Sequence, residues 1–235
     1  MRTPHNLSAI ALTAVLLTIT SCSGGPADTT QPAAALTITT PEYLTFRAQP
    51  TACGAERPVP AAQLEFDAPT DLGLSGTIEV VLDTSCGDIS LSLDADTAPV
   101  TVNSFVFLAE RGYFDGIALH RVVPGFLVQI GDPTATGAGF PGYRIPDELP
   151  PAGFLYTRGT VAMANAGPNT GGSQFFLMLE DINLPPSYTV FGQTTSGFDT
   201  MDSMAAVPMG SNAMDSQPSR PLETIYINSV DVIGR

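Results

Sequence analysis

Short strand-like runs cut by turn residues constrain this chain more than any other feature. Thr77–Leu82 is β-branched, and Asp88–Leu93 alternates strictly between apolar and polar residues. Thr84-Ser85-Cys86-Gly87 lies between them, which is hairpin chemistry. Strand patterns return from residue 117 to 131, broken at Pro124-Gly125, and again at Thr160–Asn165, Gln174–Leu179, Tyr188–Gln193 and Ile225–Val232. The clear helix starts at Pro99, carries Val102, Phe105, Val106 and Ala109 on one face, and stops at Gly112. Phe198–Met204 is a second, shorter candidate. Many short strands with one or two helices predict a small β-barrel with helices over its ends.

The N-terminal stretch carries an address. Leu7–Thr20 is an apolar run too short for a comfortable membrane span but right for the core of a signal peptide. It ends in Ile19-Thr20-Ser21-Cys22, which resembles a bacterial lipobox. Residues 1–21 therefore read as a lipoprotein signal and Cys22 as the lipidation site; an ordinary secretory signal with a chance cysteine is the alternative. The implied location is the outer face of the bacterial cell membrane, held by the lipid anchor alone. Residues 22–35 are rich in small residues and proline and read as a flexible tether. Residues 36–75 alternate apolar patches with Pro41, Pro50, Pro58, Pro60 and Pro69, and read as a loosely ordered arm packed on the domain at 76–235.

With Cys22 lipidated, Cys53 and Cys86 remain. An even number in an exported chain predicts a disulfide, with two free buried thiols as the alternative. Two histidines, one of them in the signal, argue against a structural zinc site, and no metal or cofactor is expected. The formal charge is −14, and all nine basic residues are arginine. Such a chain repels nucleic acid and anionic lipid.

The chemistry concentrates in Phe114–Pro133, FDGIALHRVVPGFLVQIGDP. This segment is mostly apolar yet contains Arg121 and Gln129, and an unpaired buried arginine is costly. Residues i and i+2 of a strand share a face, so Leu127 pairs with Gln129 on one surface and Gln174 with Phe176. An amide needs several partners in a dry core. An apolar group beside an amide suits a groove that holds an apolar ring and reads a peptide backbone.

These segments resemble the cyclophilins, which are peptidyl-prolyl cis/trans isomerases. The resemblance rests on Phe114-Asp115-Gly116, on His120 to Phe126, on Gln129 with Gly131-Asp132-Pro133, on Met163–Phe176 (MANAGPNTGGSQFF) and on Tyr188–Gln193 (YTVFGQ). It covers about Thr77 to Ile233. It implies a mainly β fold, a closed eight-stranded antiparallel β-barrel capped by two helices. It implies that Arg121 is catalytic, that Phe126, Leu127, Phe176 and Leu184 form a proline pocket, that Gln129 and Gln174 form a polar rim, and that Ala164 and Asn165 form a backbone-binding edge. It implies proline-containing polypeptides as substrates, exported ones if the signal reading holds. The chain is expected to be a monomer. The family's usual tryptophan at the pocket rim is missing, with Asn183 nearby, so weakened cyclosporin binding is expected. Tyr188 stands where many members carry histidine, and Leu127 where methionine is common.

Plainer roles compete at several positions. Arg121 could be a structural partner of Asp132 or Glu148. His120 reads as a buried, hydrogen-bonded structural residue rather than a base. The Gly-rich 131–142 segment lacks the Lys-Ser/Thr of a phosphate loop and reads as a surface loop shaping the groove. A cyclophilin-shaped module that captures a Pro-rich partner without catalysis is the rival to an enzyme.

Overall fold

A computed structural model describes residues 36–233. The signal, Cys22 and the tether lie outside the described residues. The elements in chain order are α1 (Pro41–Ala48), a 3-10 turn (Ala52–Gly54), β1 (Thr77–Thr84), β2 (Gly87–Asp94), α2 (Pro99–Ala109), β3 (Arg121–Val123), β4 (Leu127–Ile130), β5 (Thr160–Met163), β6 (Phe175–Met178), β7 (Val190–Ser196), α3 (Phe198–Ala205), β8 (Met209–Gly210), β9 (Arg220–Pro221) and β10 (Ile227–Ile233).

The sheet is antiparallel and eight-stranded, in the order β10-β1-β2-β7-β5-β6-β4-β3, with β8 and β9 forming a separate pair. It curls into a half-barrel rather than the expected closed barrel. The reason lies at its two ends. The Val122 N–H on the terminal strand β3 donates to the Ser219 carbonyl, 2.8 Å away, so the loop from β8 to β9 occupies the position a closing strand would need. The gap is bridged at its mouth, where Gly116, Ile117 and Leu119, ahead of β3, exchange backbone bonds with Ile225, ahead of β10, and with Ile227, its first residue. Among the described residues there are three α-helices, against the two expected.

The helix at Pro99 forms as its pattern requires. Its face of Val102, Phe105, Val106 and Ala109 is buried. Thr101, Ser104, Phe107 and Leu108 are buried too, because neighbouring segments cover them: Phe107 packs edge-on against Phe66 at 5.1 Å and Ser104 bonds the Tyr143 hydroxyl at 2.8 Å. Its first N–H groups have a remote cap. The Glu148 carboxylate accepts from Val100 N, Thr101 N and Thr101 Oγ1 at 2.7–2.9 Å. That satisfies orphan donors and complements the helix dipole.

The 36–75 segment, expected to be a loosely ordered arm packed on the domain, contains α1 and packs on that domain. Thr40 caps α1, Pro41 opens it, and Tyr43 and Phe46 are fully buried. Tyr43 donates to the Gly116 carbonyl at 2.8 Å and accepts from Ala61 N at 2.7 Å. Pro50 and Ala52 exchange backbone bonds with Thr224, and Phe66 N donates to the Pro141 carbonyl. Gly116 has φ +74° and lies so close to Val59 O and Ala61 N that a Cβ would collide with both. Cys53 and Cys86, 33 positions apart, form a disulfide that ties this arm to the β1–β2 turn. Tyr43→Phe would leave a buried N–H and a buried carbonyl unpaired. It should lower stability by about 1–3 kcal/mol, read as a drop in melting temperature.

Candidate functional site

The site follows from period-two alternation in three adjacent strands. Every residue of β5 and β6 is buried, yet the strands serve two different clusters. Val122, Val128, Ile130, Val161, Met163, Phe175 and Leu177 join the main core. Val123, Leu127, Ala162, Phe176 and Met178 face the other way into a second cluster with Tyr156, flanked by Phe126, Leu184 and Tyr188. Arg121 and Gln129 share that second face. Register then makes neighbours of them: Arg121 pairs with Gln129, Gln129 with Phe176, and Phe176 with Ala162. The arginine therefore sits on the outer face of a strand whose other face is core.

A cavity of about 150 Å³ opens on this face, lined by Arg121, Phe126, Leu127, Gln129, Ala164, Asn165, Phe176, Leu184 and Tyr188. That is room for one small ring rather than a drug-sized ligand. The Pro124-Gly125 turn, with Gly125 at φ +74°, folds Phe126 over its edge, and Phe126 N and O bond Val123 O and Leu179 N. Phe176 and Tyr188 meet edge to face at 5.4 Å, so Tyr188 is a wall of the pocket. Gln174 lines a second cavity of about 240 Å³, which shares Gln129, Ala164 and Asn165 with the first and is closed on its far side by Gly137–Phe140, Arg144 and Thr170. The Gly-rich loop thus shapes this groove. Ala164 N donates to the Gln174 carbonyl, and the Asn165 amide reaches Ser187 O at 2.8 Å, which fixes the ridge between the cavities.

One polar relay runs under the groove. Arg121 Nη1 donates to Gln129 Oε1 at 2.8 Å. Gln129 Nε2 donates to Gln174 Oε1 at 2.8 Å. Gln174 Nε2 donates to the carbonyls of Gly137 and Gly139 at 3.1 and 2.9 Å. The other edge of the guanidinium meets Asp215: Nε to Oδ2 at 2.8 Å and Nη2 to Oδ1 at 2.6 Å. Both side chains are mostly covered, at 17% and 10% exposure. Hydrogen bonds from Arg121 hold the Asp215 carboxyl below the usual carboxylate range.

Asp215 was not among the partners expected from the sequence. Asp132 is occupied by Thr134 and Gly137, and Glu148 caps α2. The loop holding Asp215, residues 211–219, carries no motif, and nothing in its spelling links it to a strand 94 positions away. His120 is buried as expected, but neither ring nitrogen has a hydrogen-bond partner among the described residues. Burial pushes its pKa down, so it is neutral and lines neither cavity.

Comparison with known proteins agrees with this geometry. Residues 79–232 match the family model for "Cyclophilin type peptidyl-prolyl cis-trans isomerase/CLD". A Mycobacterium tuberculosis protein named "Probable peptidyl-prolyl cis-trans isomerase B" is 40% identical over 166 residues, 64% of this chain and 53% of that protein. The chain thus spans about half the length of this mycobacterial relative. A Gibberella zeae protein named "Peptidyl-prolyl cis-trans isomerase-like 1" is 41% identical over 162 residues, 67% of this chain and 96% of that protein. A crystal structure of a Cryptosporidium parvum cyclophilin-type peptidyl-prolyl cis-trans isomerase, in the presence of the dipeptide Ala-Pro, superposes with TM-score 0.58 at 30% identity. It covers 67% of this chain and 99% of the other.

Proposed function

The chain belongs to the cyclophilin-type peptidyl-prolyl cis-trans isomerases, and from that premise we propose that it accelerates rotation about X–Pro bonds, with Arg121 as the catalytic residue. The observation that carries the reading is the small apolar cavity with a guanidinium at its rim.

The reaction asks little covalent chemistry of a protein. Rotation is slow because the C–N bond has partial double-bond character, with a barrier of about 18–20 kcal/mol. Uncatalysed X–Pro exchange takes tens to hundreds of seconds. No bond is broken, so no nucleophile is required. Halfway through the turn the proline nitrogen becomes pyramidal and gains a lone pair. A guanidinium is always charged, and its N–H groups are set in a rigid fork. A donor placed over that nitrogen bonds the twisted state and not the planar one, which is differential binding of the transition state. Asp215 and Gln129 take three of the five N–H groups of Arg121, which leaves two for a substrate. Phe126, Leu127, Phe176 and Leu184 hold the proline ring, Tyr188 walls the pocket, and Ala164 and Asn165 border the path of the peptide backbone. The rim is partly dry, which strengthens such a hydrogen bond.

The clients are exported polypeptides, and Cys22 is the anchor on the outer face of the membrane. The Cys53–Cys86 disulfide supports an oxidising compartment. The protein acts as a monomer. Cyclosporin binds weakly, because no tryptophan is present and Asn183 is exposed near the rim.

A protease-coupled assay on an X–Pro peptide tests the reading. The parent protein should show an isomerase rate well above the uncatalysed one. Phe176→Ala should lower kcat/KM about 10- to 100-fold by emptying the pocket floor. A parent that binds a Pro-rich peptide but leaves the exchange rate at its uncatalysed value would make the protein a capture module instead.

A further inference from the structure

We propose that Asp215 is a positioning residue: it fixes the guanidinium of Arg121 in one plane before substrate arrives. The inference rests on the isomerase reading above and concerns a residue outside the family-matched groove lining.

An arginine side chain has many rotamers, and a donor that must meet one lone pair at one moment needs few of them. Gln129 alone would leave Arg121 held through a single nitrogen, free to swing about that contact. Asp215 adds a two-pronged grip on the opposite edge, through Nε and Nη2. This bidentate geometry sets the plane as well as the distance. The carboxylate is itself fixed. Ser219 Oγ donates to Oδ2, Asp215 N donates to Asn212 O at 3.2 Å, and Met214 N donates to Asn212 Oδ1 at 3.1 Å. Ser219 is fully buried, and its carbonyl accepts from Val122 N, the residue next to Arg121. The β8–β9 loop is thus fastened to the strand that carries the arginine, and both halves of the ion pair share one support.

The carboxylate also weakens the positive field at the rim, so it has two opposing effects on the reaction. Placement should win, because a misplacement of about 1 Å can cost roughly a hundredfold in rate. The positive charge remains on Arg121, which lines the cavity, and Asp215 and Gln129 leave two of its N–H groups uncommitted. Removal of Asp215 should therefore slow the reaction rather than quicken it.

The test uses the purified protein with Asp215→Asn and Asp215→Ala, assayed for isomerase kinetics and by NMR of the Arg121 Nε–H. Asp215→Ala should lower kcat/KM by about tenfold, mainly in kcat with KM little changed. Asp215→Asn, which keeps one acceptor and the same shape, should fall between it and the parent. In the parent the Nε–H signal should be protected from exchange, and in Asp215→Ala that protection should vanish. Activity that is unchanged or raised in both variants overturns the proposal. So does persistent Nε–H protection, even if the melting temperature drops, since that reports only a structural bond. A parent lacking isomerase activity would sink the functional reading and the catalytic role with it. The Nε–H signal would then still show, independently, whether the clamp exists.

Discussion

Arg121→Lys should lower kcat/KM by about a hundredfold or more in the protease-coupled assay. Loss of one preorganised donor at a developing charge typically costs about 10²–10³ in kcat. Lysine keeps the charge but not the fork, so it cannot hold Asp215 and Gln129 while donating to a third group. Arg121→Ala should be at least as slow, and it should also melt earlier. The alanine strands a carboxylate only 10% exposed and leaves Gln129 Oε1 without its donor, at a cost of about 1–3 kcal/mol. The double variant Arg121→Ala/Asp215→Ala should recover part of that stability and none of the activity. The pH dependence has a definite sign. Asp215 has a lowered folded-state pKa, so the pair's stabilisation is fully present above the unfolded-state value of about 3.9 and disappears as pH falls through the folded one. The gap in melting temperature between parent and Arg121→Ala should be wide at neutral pH and close in strong acid. A gap that stays constant with pH would show that the ion pair is not its source.

Reducing the Cys53–Cys86 disulfide, or replacing both cysteines with serine, should cost about 3 kcal/mol through the freedom restored to the unfolded chain. For a domain of this size that is a fall of roughly 10 °C in melting temperature. Turnover at 25 °C should stay within about threefold, because the arm keeps its other attachments. Thr40 Oγ1 donates to Thr134 O at 2.7 Å, and Phe66 N to Pro141 O at 2.8 Å. Both grip the loop whose Gly137 and Gly139 carbonyls terminate the polar relay. Calorimetry with and without reductant checks the first claim. A large loss of turnover on reduction would show instead that the arm is wired to the groove through the disulfide.

The parts of the fold legible in the sequence are those where local pattern and tertiary need agree. The β1–β2 hairpin announced itself through strict alternation and a four-residue turn. The α2 face was visible because its apolar spacing is the spacing its packing uses. The groove face of β4 and β6 was legible for the same reason, as amide and apolar residues two apart. The α1 helix was not. Eight residues of mixed character form a marginal helix alone, and Tyr43 and Phe46 become decisive only once the barrel surface exists. Its start was nonetheless signalled by Thr40-Pro41-Glu42, a cap, a proline and an acid in order. Barrel closure was misjudged because pairing between end strands depends on what else reaches them, and the β8–β9 loop takes the Val122 N–H. The Asp215 clamp was invisible for a related reason: it joins a loop and a strand that only the folded chain brings together.

The two-sided character of β4, β5 and β6 separates what mutation can change. Substitutions at Leu127, Ala162 or Phe176 alter the groove while Val128, Val161 and Leu177 continue to hold the core, and the reverse is equally true. Substrate preference and thermal stability can therefore drift almost independently in descendants of this chain. What the strands cannot tolerate is a change of frame. An inserted or deleted residue in β4 would send Gln129 inward and Val128 out, and the groove and the core would be lost together.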